Sequence, residues 1–379
     1  MTTAIIIIVI LLTLIHFYLK CSLMTSFSTL IASVFATVVA FSYHEAMADL
    51  FISRGYGADW ALSGCYLLAF VLGSALFRAL ADLLVGSNID LGKPAKTVAA
   101  IVCGLVTGVV IAGNFLVALG LMPVQHKVAY SRFPADKLIV LSNPSMPILN
   151  VDGFVTGLYS WLSRGALASD KSFAVAQADF LTKTHLNRFR INDGVQAIAS
   201  RKCLTLPPKS KKPVRLWTTP DGVAFTVVRV GILSKGIADG GAMDASGQIR
   251  FTMAQLRLVC KPTGESDNLR GNGIAVWPTG LFKNGAMVEK RLDDIIEEKD
   301  TLGMKERVLW VDVAFKVPDG QVPVAFQFKQ NAMVSLVGIQ PVTSTPEVEQ
   351  ELNADEKEGG TPAAAASVTA DTPTAPTAP

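Results

Sequence analysis

Apolar residues are not spread evenly along this chain. In its first third they gather into four blocks, at about Ala4 to Leu19, Phe27 to Tyr43, Trp60 to Val85 and Val98 to Leu121. A bilayer core needs roughly 20 apolar residues as helix, because a helix rises about 1.5 Å per residue and an unpaired backbone amide in lipid costs several kcal/mol. The four blocks therefore read as membrane-spanning helices. The first two are short and separated only by about Lys20 to Ser26, so they read together as a helical hairpin. From Val214 the period changes. Val223–Ile232, Ile249–Lys261, Val308–Val317, Val322–Lys329 and Ala332–Gly338 are β-rich runs, with clean alternation in Val322, Val324, Phe326 and Phe328. Pro323 inside one run predicts an edge strand. Pro220-Asp221-Gly222, Asp239-Gly240-Gly241 and Pro318-Asp319-Gly320 mark turns. With shorter candidates near Leu216 and at Ile274–Trp277, about seven strands are expected, which suits an all-β, antiparallel immunoglobulin-like sandwich.

Between these regions the spacing of Phe154, Leu158, Trp161, Leu162 and Leu167 predicts an amphipathic helix, and a second helix is expected over about Phe173 to Leu186. The aromatic face either lies on the bilayer surface or packs against its own domain. Arg201, Lys202, Lys209, Lys211, Lys212 and Arg215 then crowd a proline-containing stretch, either a patch for anionic headgroups or a solvated linker. From Pro346 the chain is acidic and then rich in Ala, Thr and Pro, a composition that buries no core and reads as disordered. The expected organisation is a four-helix transmembrane domain at 1–125, a helical connector and basic linker at 126–213, a β-sandwich at 214–345 and a disordered tail at 346–379.

Composition sharpens this division. The 379 residues are 50% hydrophobic and 17% charged, which fits no ordinary soluble chain. Residues 1–125 hold five basic and five acidic groups, residues 126–345 hold 28 and 19, and residues 346–379 hold one and seven. The net charge of +3 is thus a neutral membrane part, a basic middle and an acidic end, not the uniform basicity of a nucleic-acid binder. The first block follows Met1-Thr2-Thr3-Ala4 and precedes its positive charge, the reverse of a secretory signal, and Lys20 stands where a lipoprotein cleavage before Cys21 needs a small residue. A retained helix is expected. Lys20 in the first connection, and Lys93 and Lys96 in the third, outweigh acids there, while the second carries Glu45, Asp49 and Asp59 against Arg54. Positive loops face the cytoplasm, so both termini and the β-rich domain are expected outside it.

Ala100, Gly104, Gly108 and Ala112 recur every four residues on one face of the fourth helix, a close-contact surface. It serves packing inside the unit, with Gly64, Gly73 and Ser74 of the third helix as partners, or the seam of a homo-oligomer. Arg78 and Asp82 lie one turn apart, and with Asn114 they are the candidate intramembrane polar site. Such groups mark ion or substrate paths, or snorkel to the interface. Cys203 and Cys260 lie in the expected exported part, where a disulfide would persist. Cys21, Cys65 and Cys103 read as small apolar packing residues. His16, His44, His126 and His185 pair with no second metal ligand at helical spacing, and neither a Gly-x-Ser-x-Gly elbow nor a phosphate loop is present. No metal, cofactor or enzymatic activity is expected.

The membrane part also resembles a known family. The short first connection followed by Ser26-Phe27 and Leu30, then Gly86 and Gly92-Lys93-Pro94-Ala95-Lys96 leading into Gly104-Leu105-Val106-Thr107-Gly108, is similar to the colicin V production family of bacterial inner-membrane proteins. The resemblance covers about residues 1–125. It implies a multi-pass protein of the bacterial inner membrane, linked to toxin export or envelope homeostasis. Two functions are carried forward. One is a membrane scaffold or accessory protein contacting the bilayer and other membrane or envelope proteins; the other is a transport or conductance component using Arg78, Asp82 and Asn114.

Overall fold

The computed structural model describes residues 2–84, 92–125, 130–134, 137–208, 212–283, 285–348 and 352. Four long helices open the chain: α1 (Thr2–Lys20), α2 (Leu23–Ile52), α3 (Ala58–Leu84) and α4 (Lys93–Leu121), each long and apolar enough to cross a membrane. Ser22 caps α2 by accepting from the Thr25 amide, and Pro94 sits in the first turn of α4. The first two blocks do not form a hairpin with each other. Only Cys21 and Ser22 separate them, and α1 packs chiefly against α4 while α2 packs against α3. Helix α4 also touches α2 and α3, and is the most buried of the four.

The small-residue face of α4 explains this arrangement. A Cβ placed on Gly104 would lie 3.1 Å from the Phe17 Cβ and 3.3 Å from the Leu14 Cα, and one on Gly108 would lie 3.0 Å from the Ile10 Cα. Ala112 joins Ile6 and Ile10 in one cluster, and Ala100 joins Phe17 and Cys21 in another. The seam is therefore internal and filled by α1, not by the third helix that the sequence nominated. Gly73 of α3 instead beds against Ala36 of α2, where an added Cβ would meet the Ala36 Cα at 3.3 Å, and Gly64 has nothing within 4 Å.

Three shorter helices follow: α5 (Val151–Arg164), α6 (Phe173–Ala176) and α7 (Phe180–Asn187). Helix α5 buries Val151, Val155, Tyr159 and Ser163, and turns Phe154 and Trp161 outward at 43% and 63% exposure. The second expected helix is broken in two at Asp179, whose φ is 50°.

Fourteen strands are present among the described residues, twice the number expected. In chain order they are β1 (Leu204–Thr205), β2 (Val214–Thr218), β3 (Ala224–Leu233), β4 (Phe251–Thr252), β5 (Leu256–Pro262), β6 (Ile274–Val276) and β7 (Pro278–Lys283). Then come β8 (Ala286–Glu289), β9 (Ile295–Ile296), β10 (Met304–Lys305), β11 (Val308–Phe315), β12 (Gln321–Phe328), β13 (Ala332–Ser335) and β14 (Val342–Thr343). The larger sheet runs β14-β2-β3-β11-β7-β8, with β1 on β3 and β10 on β11; the smaller runs β13-β12-β5-β6, and β4 pairs with β9. The two main sheets share one core. Val228, Val230 and Ile232 of β3 and Val311, Val313 and Phe315 of β11 meet Leu256, Leu258 and Cys260 of β5 and Phe326 and Phe328 of β12.

Two sequence expectations fail here for identifiable reasons. Pro323 does not make β12 an edge strand, since β12 is flanked by both β13 and β5; β13 pairs only from Ala325 onward, so the missing amide falls where β12 has β5 alone beside it, next to a register slip between Pro323 and Ala325. The Ile249–Lys261 run is cut by a turn at Met253–Gln255. There the Gln255 side chain accepts from the Thr252 amide and donates to the backbone oxygens of Asn187 and Gln196, tying the turn to the connector.

The basic stretch is not a uniform linker either. Arg215 lies wholly buried on β2, where it and Arg229 share the Asp312 carboxylate at 2.6 and 2.7 Å. Arg229 also donates to the Leu352 backbone oxygen. Lys209 and Lys211 lie outside the described residues, as do Gly86 and most of the expected tail.

The glycine seam yields a stability test. Gly108→Val drives side-chain carbon into the α1 backbone and is expected to cost about 1–3 kcal/mol, read as a lowered unfolding midpoint in detergent. Gly64→Ala is expected to leave it unchanged or higher. Equal midpoints for Gly108→Val and the unmodified protein would contradict the α1–α4 packing.

Candidate functional site

The polar residues nominated inside the membrane part do not come together. Arg78 bonds Asp82 at 2.9 Å and also donates to the Thr25 backbone oxygen and the Thr29 hydroxyl near the start of α2. The Arg78 and Asp82 side chains are 33% and 57% exposed, the geometry of charges reaching from a helix end towards water. Asn114 is buried elsewhere. It accepts from the Tyr66 hydroxyl at 2.7 Å and donates to the Thr37 hydroxyl and the Val110 backbone oxygen, each at 2.8 Å. From Thr25 to Thr37 on α2, and from Tyr66 to Arg78 on α3, the separation is about 18 Å of helix. Asn114 thus locks α2, α3 and α4 together, while Arg78 and Asp82 form a surface pair.

A buried polar cluster lies where α2 and α4 end and the connector begins. Asp152, in the first turn of α5, has no exposed surface. Its carboxylate takes two bonds from Arg132, at 2.9 and 3.2 Å, one from the Gly153 amide at 2.9 Å, and one from the Tyr130 hydroxyl. Arg132 also donates to the Asn150 side-chain oxygen at 2.8 Å. Burial, reinforced by the adjacent carboxylate, pushes the Tyr130 hydroxyl well above its ordinary pKa and keeps it a donor.

Arg188, just past α7, spans the end of α4. Its guanidinium donates to the backbone oxygens of Leu119 and Tyr130 at 3.0 and 3.1 Å, placing positive charge at the negative end of the helix dipole. Burial lowers its pKa to about 10, so it remains a cation at neutral pH. Helix α5 is seated directly on α4: a Cβ on Gly113 would fall 2.2 Å from the Val151 oxygen.

A second part of this seam gathers around Glu45 near the end of α2. Gln177 donates to one Glu45 oxygen, Arg201 lies 3.6 Å from the other, and the buried Lys183 ammonium donates to the Gln177 side-chain oxygen. These groups line a cavity of about 320 Å³, whose apolar wall includes Phe41, Tyr159 and Phe173. The Phe41 and Tyr159 rings stack at 4.9 Å. Beyond it, the α2–α3 loop meets the β-rich region, where a Cβ on Gly55 would lie 3.6 Å from that of Ala238.

Cys203 and Cys260 form no disulfide; both are free, buried thiols. Cys203 immediately precedes β1 of the larger sheet and Cys260 lies on β5 of the smaller, so they face one core from opposite sides. Stacked sheets sit about 10 Å apart, beyond the Cα approach of roughly 4.4–6.8 Å that a disulfide needs. Burial pushes both thiols up to about 12. Among the described residues no three His, Cys, Asp or Glu side chains are grouped to hold a metal ion.

The seam was largely invisible from sequence. In the sequence Glu45 reads as a loop charge, because the apolar run stops at Tyr43; yet no glycine or proline interrupts the chain until Gly55, and α2 runs on to Ile52. Asp152 shares a helical face with Val155 and Tyr159, and that spacing was the available signal. No family model, curated protein or solved structure matches the chain.

The Asp152–Arg132 pair is testable by a double-mutant cycle. Removing one partner leaves a buried charge unmatched and costs about 3–5 kcal/mol. Arg132→Met alone and Asp152→Leu alone are each expected to lower the unfolding midpoint sharply, whereas the two together recover much of the loss. Additive losses would contradict the pairing.

Proposed function

We propose that this protein is a membrane-anchored scaffold or accessory protein. Its four-helix part, with the plan of the colicin V production family, lies in a bacterial inner membrane, and its β-rich domain is an immunoglobulin-like sandwich that engages other membrane or envelope proteins. The observation that carries this reading is the seam. Arg188 caps the end of α4 and Arg201 pairs with Glu45 of α2, joining the connector to the bundle, while Asp152 and Arg132 brace the connector itself, so the β-rich region is seated next to the helices.

The bundle interior supports the same reading. Asn114 is committed to Tyr66, Thr37 and Val110, and Arg78 to Asp82 and the start of α2, so neither offers a continuous polar path between the membrane faces. The lysines of the first and third connections favour a cytoplasmic position for those loops and an extracytoplasmic β-rich domain. A topology reporter fused after Thr345 reads that orientation directly, and cytoplasmic activity would reverse it.

Reconstitution tests the function class. Vesicles containing the full-length protein are expected to hold imposed proton and potassium gradients as well as empty vesicles do. Gradient collapse that is relieved by Asn114→Leu, or by Arg78→Gln with Asp82→Asn, would establish the conductance reading in its place.

A further inference from the structure

The cavity beside Glu45 carries more positive charge than its own contacts use. Lys171, Lys183 and Arg201 line it against one carboxylate. Glu45 is already occupied by Gln177 and Arg201. Lys183 is 2% exposed, and its side-chain nitrogen has one hydrogen bond, to Gln177, leaving its remaining N–H donors for the cavity. Lys171 stands at the exposed mouth, and its ammonium makes no hydrogen bond or ion pair with the described residues.

Charges of one sign held together in a partly enclosed, low-dielectric space attract a counter-ion. We infer that this cavity is a binding site for a phosphate group, presented by an anionic lipid headgroup or as free phosphate. Its lining supplies Lys171, Lys183 and Arg201 as donors and Phe41, Tyr159 and Phe173 as apolar surface. A volume of about 320 Å³ holds a headgroup and leaves acyl chains outside. An anion bound here also offsets the burial that holds the Lys183 ammonium well below its ordinary pKa.

The depth of the cavity suits a lipid source. Glu45 lies about 33 Å along α2 from Leu23, and a hydrocarbon core is about 30 Å thick, so a spanning α2 brings Glu45 to headgroup level. Tyr159, on the cavity wall, belongs to α5, which turns Phe154 and Trp161 outward beside the bundle. The lipid source rests on the reading of α2 as a membrane span; the phosphate chemistry does not.

The test uses full-length protein with inorganic phosphate in detergent micelles, and phosphatidylglycerol against phosphatidylcholine in nanodiscs, with binding followed by native mass spectrometry and thermal shift. Lys171→Gln is the decisive variant, since Lys171 is exposed and its loss removes neither the Gln177 hydrogen bond nor the Arg201 ion pair of Glu45, which Lys171 reaches only through space. Lys299→Gln, an exposed lysine of the β-rich region, controls for net charge. Saturable binding weakened about fivefold by Lys171→Gln and unchanged by Lys299→Gln is expected. Such binding in micelles identifies free phosphate as a source even if the bilayer placement fails. Binding confined to phosphatidylglycerol nanodiscs identifies the lipid. Binding of neither ligand, or binding that Lys171→Gln leaves intact or that both variants weaken alike, would overturn the site.

Discussion

A carboxylate with no exposed surface must bring its own counter-charge, because stranding it in a low dielectric costs several kcal/mol. Asp152 meets that constraint with Arg132, Tyr130 and the Gly153 amide. The consequence is topological. Arg132 belongs to the segment leaving α4 and Asp152 to the first turn of α5, so satisfying the charge folds the chain back onto the helix it has just left. Gly113 then admits the α5 backbone at a distance no side chain would allow, and Arg188 returns later to take the Leu119 and Tyr130 oxygens.

Within the bundle the governing constraint differs. For helices long and apolar enough to cross a bilayer, lipid would offer no hydrophobic drive for association, which leaves packing and hydrogen bonds to decide which helices meet. Gly104 and Gly108 let the α1 ridge of Ile6, Ile10, Leu14 and Phe17 approach α4, and Asn114 reaches both α2 and α3. Helix α4 is therefore the hub, and α1 is a lid over its small-residue face. The two devices operate at different heights: glycine and asparagine inside the bundle, ion pairs at its rim where the connector begins.

Much of the architecture was legible in the sequence. The four apolar blocks became α1 to α4 and the β-rich run at Val322–Phe328 became β12, because long apolar runs and β-branched or aromatic residues bias the backbone towards those elements, although β12 is buried on both faces along most of its length and not alternately. Partner choice was not legible. The small-residue stripe announced close packing, but nothing in its spacing distinguished α1 from α3. Pro323 predicted an edge strand because sequence does not display where a partner strand stops, and the Ile249–Lys261 run concealed a turn set by Gln255 reaching the connector. Buried ion pairs were least visible of all: Arg215, placed in a basic linker by its neighbours, is buried against Asp312, nearly a hundred positions away. Charges look solvated in sequence until their partners are known.

Most of the functional reading depends on the β-rich region being seated against the bundle and not tethered to it. The most direct measurement is oxidative cross-linking between Gly55→Cys in the α2–α3 loop and Ala238→Cys in the β-rich region, whose Cβ positions are 3.6 Å apart, within the range a disulfide spans. The account predicts rapid formation of the link in membranes under mild oxidant, recovered as one joined peptide by mass spectrometry. Two free thiols at these positions, in protein whose helices remain inserted, would contradict it.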